Sequence, residues 1–446
     1  MAFSILTRWQ QVLRDSCGTA LFAADGTKLR TWSDLEGEAR DFSRVLAGGP
    51  GSVGLQVGND VQFPSIVLAC WMAGRAVCLL DPELSAEMGS EIEQRLGLGT
   101  RITAGPEGLR IESLESAAPP PPDVVVFKVT SGTTARPEVV PFTAGQILAD
   151  CDQVCTTMQI SADDLNFGVI AFTHSYGFSS LITPLLCRGV PLVAATDGLP
   201  RAVWSAVWNT GATVLPLVPA MFGALRSVES LPNTVRLCIS AGAPLDPVLA
   251  GDFFSRFSRK IHSFYGASEC GGICYDSTDR PIADAGFVGT PLDGVAIEWL
   301  DDPTPSGARI LVRSRAVGSP DDNGPGTFSP TDLLVPSDAG FRIVGREADL
   351  INCGGRKVAP AGIEAVIARC PGIRDVVVFG SPRPNGGEAV HALIVADQPP
   401  SPAAIRLHCA GKLPPWQIPR EFHFVASVPR NARGKISRRD LAAAYG

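Results

Sequence analysis

The segment Thr130-Ser131-Gly132-Thr133-Thr134 sets four hydroxyls around one glycine directly after an apolar run of strand length, Val124 to Val129. A loop of this composition can offer hydroxyls and backbone N–H groups to phosphate oxygens, and a glycine lets the chain approach closely. It is not a Walker A loop, because no Gly-Lys-Ser/Thr follows at the required spacing. Taken alone it reads equally as an ordinary Ser/Thr-rich turn after a strand. The two Cys-x-x-x-Cys pairs, Cys151/Cys155 and Cys270/Cys274, lack a second pair of His or Cys ligands at zinc spacing. No metal is expected there.

Further polar segments punctuate apolar runs downstream. His174-Ser175-Tyr176-Gly177-Phe178 ends a strand-like stretch from Gly168 to Thr173. Ala241-Gly242-Ala243-Pro244 follows Leu237-Cys238-Ile239-Ser240, and Tyr265-Gly266-Ala267-Ser268-Glu269 follows Ile261 to Phe264. A basic tail runs from Arg430 to Arg439 and contains Lys435. Such a tail is ordinarily a solvated surface.

The elements that must position these segments read as an α/β protein. Residues 20–29 suggest two short strands about an Asp-Gly turn. A helix capped at Ser33 is expected through Leu46. A strand at 53–57, an apolar helix at 63–74 and a strand at 76–80 follow. Strand, helix and strand in succession imply a parallel sheet. Residues 81–100 read as a moderately charged helix, and four prolines at 119–122 as a stiff connector. Helix is expected at 143–158, strands at 190–195 and 213–218, and a β-rich region from about 286. The last hundred residues read as a compact α+β unit. The expectation is therefore a large multi-sheet N-terminal domain with a small β-rich subdomain, residues 1–345, and a small mobile α+β C-terminal domain, residues 346–446.

With 446 residues, 45% of them hydrophobic and 19% charged, the chain can bury large cores. A net charge of −7 argues against nucleic acid or an anionic membrane as partner. No apolar run reaches the length of a transmembrane segment, and the N-terminus lacks a signal-peptide layout. A cytoplasmic location is expected, with the twelve scattered cysteines as buried free thiols.

Four blocks in one order resemble the adenylate-forming superfamily, which includes acyl- and aryl-CoA ligases, luciferases and peptide-synthetase adenylation domains. Thr130 to Thr134 is similar to its phosphate loop, and Tyr265 to Glu269 resembles its Tyr-Gly-x-Thr-Glu motif. Asp332, Gly345-Arg346 and Gly354-Gly355 resemble its ribose-binding and hinge region. Gly434-Lys435-Ile436 with Arg438-Arg439 resembles its catalytic-lysine motif. The resemblance implies ATP and Mg²⁺ as cofactors, a carboxylic acid as substrate, and CoA or a carrier-protein phosphopantetheine as acyl acceptor. An acyl carrier protein is then a candidate partner. Thr130, Ser131, Gly132, Thr133 and Thr134 would hold phosphates, and Gly242, Ala243, Pro244, Tyr265, Gly266 and Ser268 the adenine side. Asp332 and Arg346 would bind ribose, Glu269 would hold Mg²⁺, and Lys435 would neutralise charge at the α-phosphate. His174 would act at the carboxylate pocket, since its segment is similar to that of fatty-acyl and acyl-carrier-protein synthetases. Because residues 174–178 contain no acid to pair with an α-ammonium, a fatty or other acid without an α-amine is expected.

The chain also departs from the family. Glu138 stands where the phosphate loop carries a lysine, Ser268 replaces a threonine, the family's Thr-Gly-Asp appears as Pro330-Thr331-Asp332, and Ala348 occupies the hinge position beside Asp349. Two other readings stay open: a catalytically impaired nucleotide- or acyl-binding scaffold, and a ligase that stops at acyl-AMP.

Overall fold

The fold is described from a computed structural model covering residues 3–105, 108–115, 117–130, 138–318, 324–353, 356–383, 387–429 and 436–446. The expected phosphate-loop residues 131–137, the hinge pair Gly354-Gly355 and Lys435 lie outside the described residues. Backbone contacts divide the chain into two compact units, residues 1–297 with 312–328, and residues 298–311 with 329–446.

Among the described residues, most strands of the first unit fall in two sheets. In the six-stranded sheet the spatial order is Gly108–Ser113, Leu98–Gly105, Ser52–Gln56, Val77–Leu79, Val124–Val129 and Val139–Thr143. The four inner strands are parallel, and an antiparallel strand closes each edge. Parallel strands covered on both faces should read as unbroken apolar runs, as Val124–Phe127 does with all four residues buried. The strands at 98–105 and 108–113 correct the expected helix at 81–100. The helix is Ala86–Leu96 and stops at Gly97, whose φ of 57° suits a left-handed C-cap.

Nine strands of the second sheet belong to this unit, in the order Phe287–Pro291, Gly271–Tyr275, Ile261–Ala267, Leu237–Ser240, Val214–Leu217, Asn166–Gly168, Leu192–Ala194, Thr19–Ala23 and Lys28–Thr31. The helix expected to be capped at Ser33 spans Trp32–Leu46 and is capped two residues earlier, at Thr31. Thr31 and Asp34 exchange side-chain and backbone hydrogen bonds in a reciprocal box. The strand expected through Thr173 ends at Gly168, where a Cβ would fall 2.6 Å from the Val193 carbonyl oxygen.

In the second unit, strand Asp332–Ser337 pairs antiparallel with Gly340–Arg346. A three-stranded sheet of Ile373–Pro382, Glu388–Ala396 and Glu421–Phe424 carries helices Pro360–Ile367, Pro402–Cys409 and Arg438–Tyr445. Successive side chains point to opposite faces of a strand. Accordingly Val376 and Val378 join a core with Ile363 and Ile405, while Val377 and Phe379 join one with Leu441. No helix among the described residues is long and apolar enough to cross a membrane.

Candidate active site

In open α/β sheets ligands collect beyond the C-terminal ends of parallel strands. The candidate residues of the first unit lie at or just beyond such ends. Thr130 follows Val124–Val129, and His174 lies six residues beyond Asn166–Gly168. Gly242 to Pro244 follow Leu237–Ser240, while Tyr265 and Gly266 close the strand Ile261–Ala267. Ser268 and Glu269 form the turn between that strand and Gly271–Tyr275.

Only the neck of the phosphate loop is described. Thr130 is buried, its N–H donates to the Glu138 carbonyl at 2.8 Å, and Val129 pairs with Val139. The loop is therefore the connection of an antiparallel pair with a fixed mouth. Glu138, the acid at the lysine position, is exposed, so water screens its charge.

The His174 segment and the Glu269 turn meet directly. Ser175 Oγ donates to Ser268 Oγ at 2.9 Å. Tyr176 sends its hydroxyl to the Ile239 carbonyl at 3.2 Å, and its ring packs on Phe264 with centroids 6.0 Å apart. Gly177 is required by the close approach of Ala171, whose carbonyl oxygen would sit 2.1 Å from a Cβ. One turn of π-helix, Phe178–Ile182, follows. Phe178 and Leu181 are wholly buried core residues, whereas Val169 and Ile170 are at the margin of burial.

Sequence reasoning missed a partner for His174. Asp81, just past strand Val77–Leu79, places Oδ2 3.5 Å from His174 Nε2. Its other oxygen accepts the Glu83 N–H at 2.9 Å, which fixes the carboxylate. Asn59 holds the approach to His174 in place: Oδ1 accepts the Phe172 N–H at 2.9 Å, and Nδ2 faces the carbonyls of Gly168, Ile170 and Ala195 at 3.1 Å. Nothing local to residues 168–178 signals either partner.

Gly242, Ala243 and Pro244 form an exposed rim, with Gly242 at φ 81°. Tyr265 is buried, so little of its ring is open to a ligand. Gly266 is exposed, and a Cβ there would strike the Gly271 carbonyl oxygen at 2.6 Å. Glu269 is half-buried, and its carbonyl accepts the Gly318 N–H at 2.8 Å. A carboxylate held on a pinned turn suits a hard cation such as Mg²⁺. Burial, with the Glu269 charge adding to it, pushes the neighbouring Cys270 thiol far up. It therefore stays protonated, and a neutral thiol is a poor metal ligand.

Asp332 and Arg346 lie in the second unit as direct cross-strand partners, with Arg346 Nε donating to Asp332 Oδ1 at 3.1 Å. The expected hinge position, Ala348, lies within the short 3-10 turn Glu347–Asp349. Asp349 accepts a 2.9 Å bond from Arg438 Nη1. Arg438, expected beside the catalytic lysine, is thus bound into the body of its own unit.

Comparison with known proteins identifies the family. A family model described as AMP-binding enzyme matches residues 92–318, and another, AMP-binding enzyme C-terminal domain, matches residues 362–435. The chain is 25% identical to a 2-succinylbenzoate–CoA ligase of Bacillus licheniformis over 86% of this chain and 87% of that one. It is 24% identical to a 3,4-dihydroxybenzoate–[aryl-carrier protein] ligase of Bacillus anthracis, over 82% and 84% respectively. ATP-bound MatB from Rhodopseudomonas palustris shares the fold, with a TM-score of 0.85 over 98% of each chain at 21% identity. The chain belongs to the family of AMP-binding, adenylate-forming enzymes.

Proposed function

We propose that the chain activates a carboxylic acid without an α-ammonium group and transfers the acyl group to a pantetheine thiol, that of CoA or of a carrier protein. The observation that carries this reading is the 2.9 Å bond between Ser175 and Ser268, which joins the segment placed at the carboxylate pocket to the turn bearing Glu269. The relatives act, by name, on substituted benzoates, so aryl acids stand beside fatty acids as candidate substrates. Being named as ligases, they favour an enzyme over a scaffold.

In the first step a substrate carboxylate oxygen attacks the α-phosphorus of ATP. The bond to the β-phosphate oxygen breaks and pyrophosphate leaves. In the second step the thiol sulfur attacks the acyl carbon, AMP leaves with the bonding electrons, and the thiol proton passes to solvent. Phosphoryl transfer of this kind demands positioning and charge compensation. The loop from Thr130 to Thr134 would cradle phosphates with hydroxyls and N–H groups. The rim Gly242 to Pro244 would flank adenine, with Tyr265, Gly266 and Ser268 behind it. Asp332 would accept from the ribose hydroxyls, with Arg346 holding its carboxylate. Lys435 would offset negative charge at the α-phosphate. Glu269 would hold Mg²⁺, which when bound neutralises phosphate charge. His174, oriented by Asp81, would guide the carboxylate.

The Asp81 carboxylate is already engaged by Glu83 and His174, and this supports a substrate without an α-ammonium. We further read residues 346–446 as a mobile domain that brings Lys435 to the nucleotide. The test is carboxylate-dependent exchange of labelled pyrophosphate into ATP, across a panel of fatty, aryl and amino acids. Exchange with fatty or aryl acids, abolished by Lys435→Ala, is expected. Exchange by that variant at the parent rate would remove Lys435 from the chemistry, and exchange confined to amino acids would overturn the substrate class.

A further inference from the structure

We propose that Lys128 is a positioning residue for adenylate formation, acting through a buried polar network that holds the phosphate-loop strand, the His174 segment and the Glu269 turn in one frame. The inference rests on the ligase reading above. Lys128 lies in the strand that ends at Thr130, within an otherwise apolar run, and its side chain is only 1% exposed. It cannot touch a substrate.

Its ammonium finds its partners inside the protein. Nζ donates to Ser179 Oγ at 3.1 Å, lies 3.6 Å from Asp150 Oδ2, and sits 4.6 Å from the centre of the Phe142 ring. Asp150 is equally enclosed on helix Ala144–Thr157. It accepts the Ser179 hydroxyl on Oδ2 at 2.5 Å and the Gly272 N–H on Oδ1 at 3.0 Å. Four segments therefore converge on one ion pair. They are the strand leading into the phosphate loop, the helix after its return strand, the π-turn directly after His174 to Gly177, and the strand that begins two residues beyond Glu269. Backbone space has been cleared for the contact. Gly271 has φ 73°, and a Cβ there would lie 2.1 Å from Asp150 Oδ1.

Stability does not account for a cation at this position. A buried ion pair is seldom better than apolar groups of the same volume, and it is often worse. What it supplies is direction, because every member has a fixed donor or acceptor role and a slip of any one element breaks a bond in a low-dielectric site. The π-turn fits the same role. Thr183 Oγ1 donates to the Ser179 carbonyl at 3.0 Å, and irregular turns of this kind mark functional positions.

The experiment compares the parent with Lys128→Met, Lys128→Met/Asp150→Asn and Ser179→Ala, by thermal melting and by steady-state pyrophosphate exchange. Lys128→Met strands a buried carboxylate and should melt well below the parent. The double variant removes both charges and should regain most of that loss. Its kcat for exchange should nevertheless fall by about tenfold or more, with the KM for ATP within about threefold of the parent, because misplacement slows chemistry more than binding. Ser179→Ala keeps both charges and deletes the bridge, so it should show the same split even if the double variant fails to fold. Parent kcat in either variant, or a loss expressed wholly as a raised KM, overturns the inference. If the parent itself exchanges with no acid of the panel, the ligase reading fails and the inference falls with it. A parent that exchanges beside variants of equal kcat sinks the inference alone.

Discussion

Arg438→Ala should loosen the second unit without touching the first. The guanidinium donates at 2.9 Å to Asp349 Oδ2, to Glu364 Oε1 and to the Val378 carbonyl. Burial alone would lower its pKa, but Glu364 and Asp349 together raise it. The fork thereby ties the 3-10 turn at 347–349, helix Pro360–Ile367 and strand Ile373–Pro382 to the start of helix Arg438–Tyr445. Removing it leaves two carboxylates facing each other with 28% and 20% of their side-chain surface exposed. Two charge-assisted bonds are worth about 1.5–3 kcal/mol each when dry, and partial exposure discounts this, so a loss of about 2–4 kcal/mol is expected. Hydrogen exchange on the full chain reads such a loss where it occurs. Strands Ile373–Pro382 and Glu388–Ala396 should lose about 30-fold to 1,000-fold of their amide protection, while Val124–Val129 in the first unit keeps its own. Arg438→Lys retains charge without the planar fork and should fall between. Protection within about threefold of the parent in those two strands would refute the argument.

The remaining predictions concern the first unit. Burial alone would raise the Asp164 carboxyl, but bonds from Arg236, the Ser161 N–H and Thr213 together hold it below the usual carboxylate range. The sign follows: this stabilisation is present above the unfolded value of about 3.9 and is lost as pH falls through the lower folded value. Denaturant midpoints of the parent and Asp164→Asn should therefore converge only in that acid window, and a constant gap down to pH 2 would contradict it. Gly177→Ala forces a Cβ against the Ala171 carbonyl, so it should lower stability by about 1–3 kcal/mol and slow pyrophosphate exchange; parent values of both would show that the segment yields freely. If Asp81 works by orienting His174, Asp81→Ala should slow exchange about threefold to tenfold in the parent and have almost no further effect in a His174→Ala background. Additive losses would separate the two residues.

What could be read along the chain was whatever declares itself within about ten residues. The apolar run at 124–129 and the hydroxyl-rich segment after it identify a strand and its loop, because β-branched stretches and small polar turns have local causes. Tyr265 to Glu269 was legible in the same way, as a strand running into a turn. The strands at 98–105 and 108–113 were not, because glycines and Arg101 break their alternation, and a strand held by its neighbours needs no pattern of its own. The cap at Thr31 was missed for a subtler reason: Ser33 and Thr31 each have an acid three residues on, but Glu36 is taken by Trp9 and Arg40, and the box closes between Thr31 and Asp34.

The residues that hold the candidate site together are of another kind. His174 lies 93 positions from Asp81, Ser179 lies 51 from Lys128, and Arg438 lies 89 from Asp349. No local rule links such pairs, although each contains a charged or polar group where its own segment gives it no reason to be. A lysine inside Val-Val-Val-Phe-Lys-Val is the plainest case. An ammonium in a buried strand would be ruinous unless the fold brought it an acid, so the sequence already implies that a partner exists and leaves only its address open. The groups that would meet the nucleotide can be named from short motifs, because ligand chemistry selects residue type. The groups that fix their spacing are found by asking which buried charges lack a local partner and then following each to the element that completes it. By that reasoning Lys128 and Arg438 belong to the machinery as fully as the loop and the turn they hold, and substitutions there should appear in rates and in local opening as well as in overall stability.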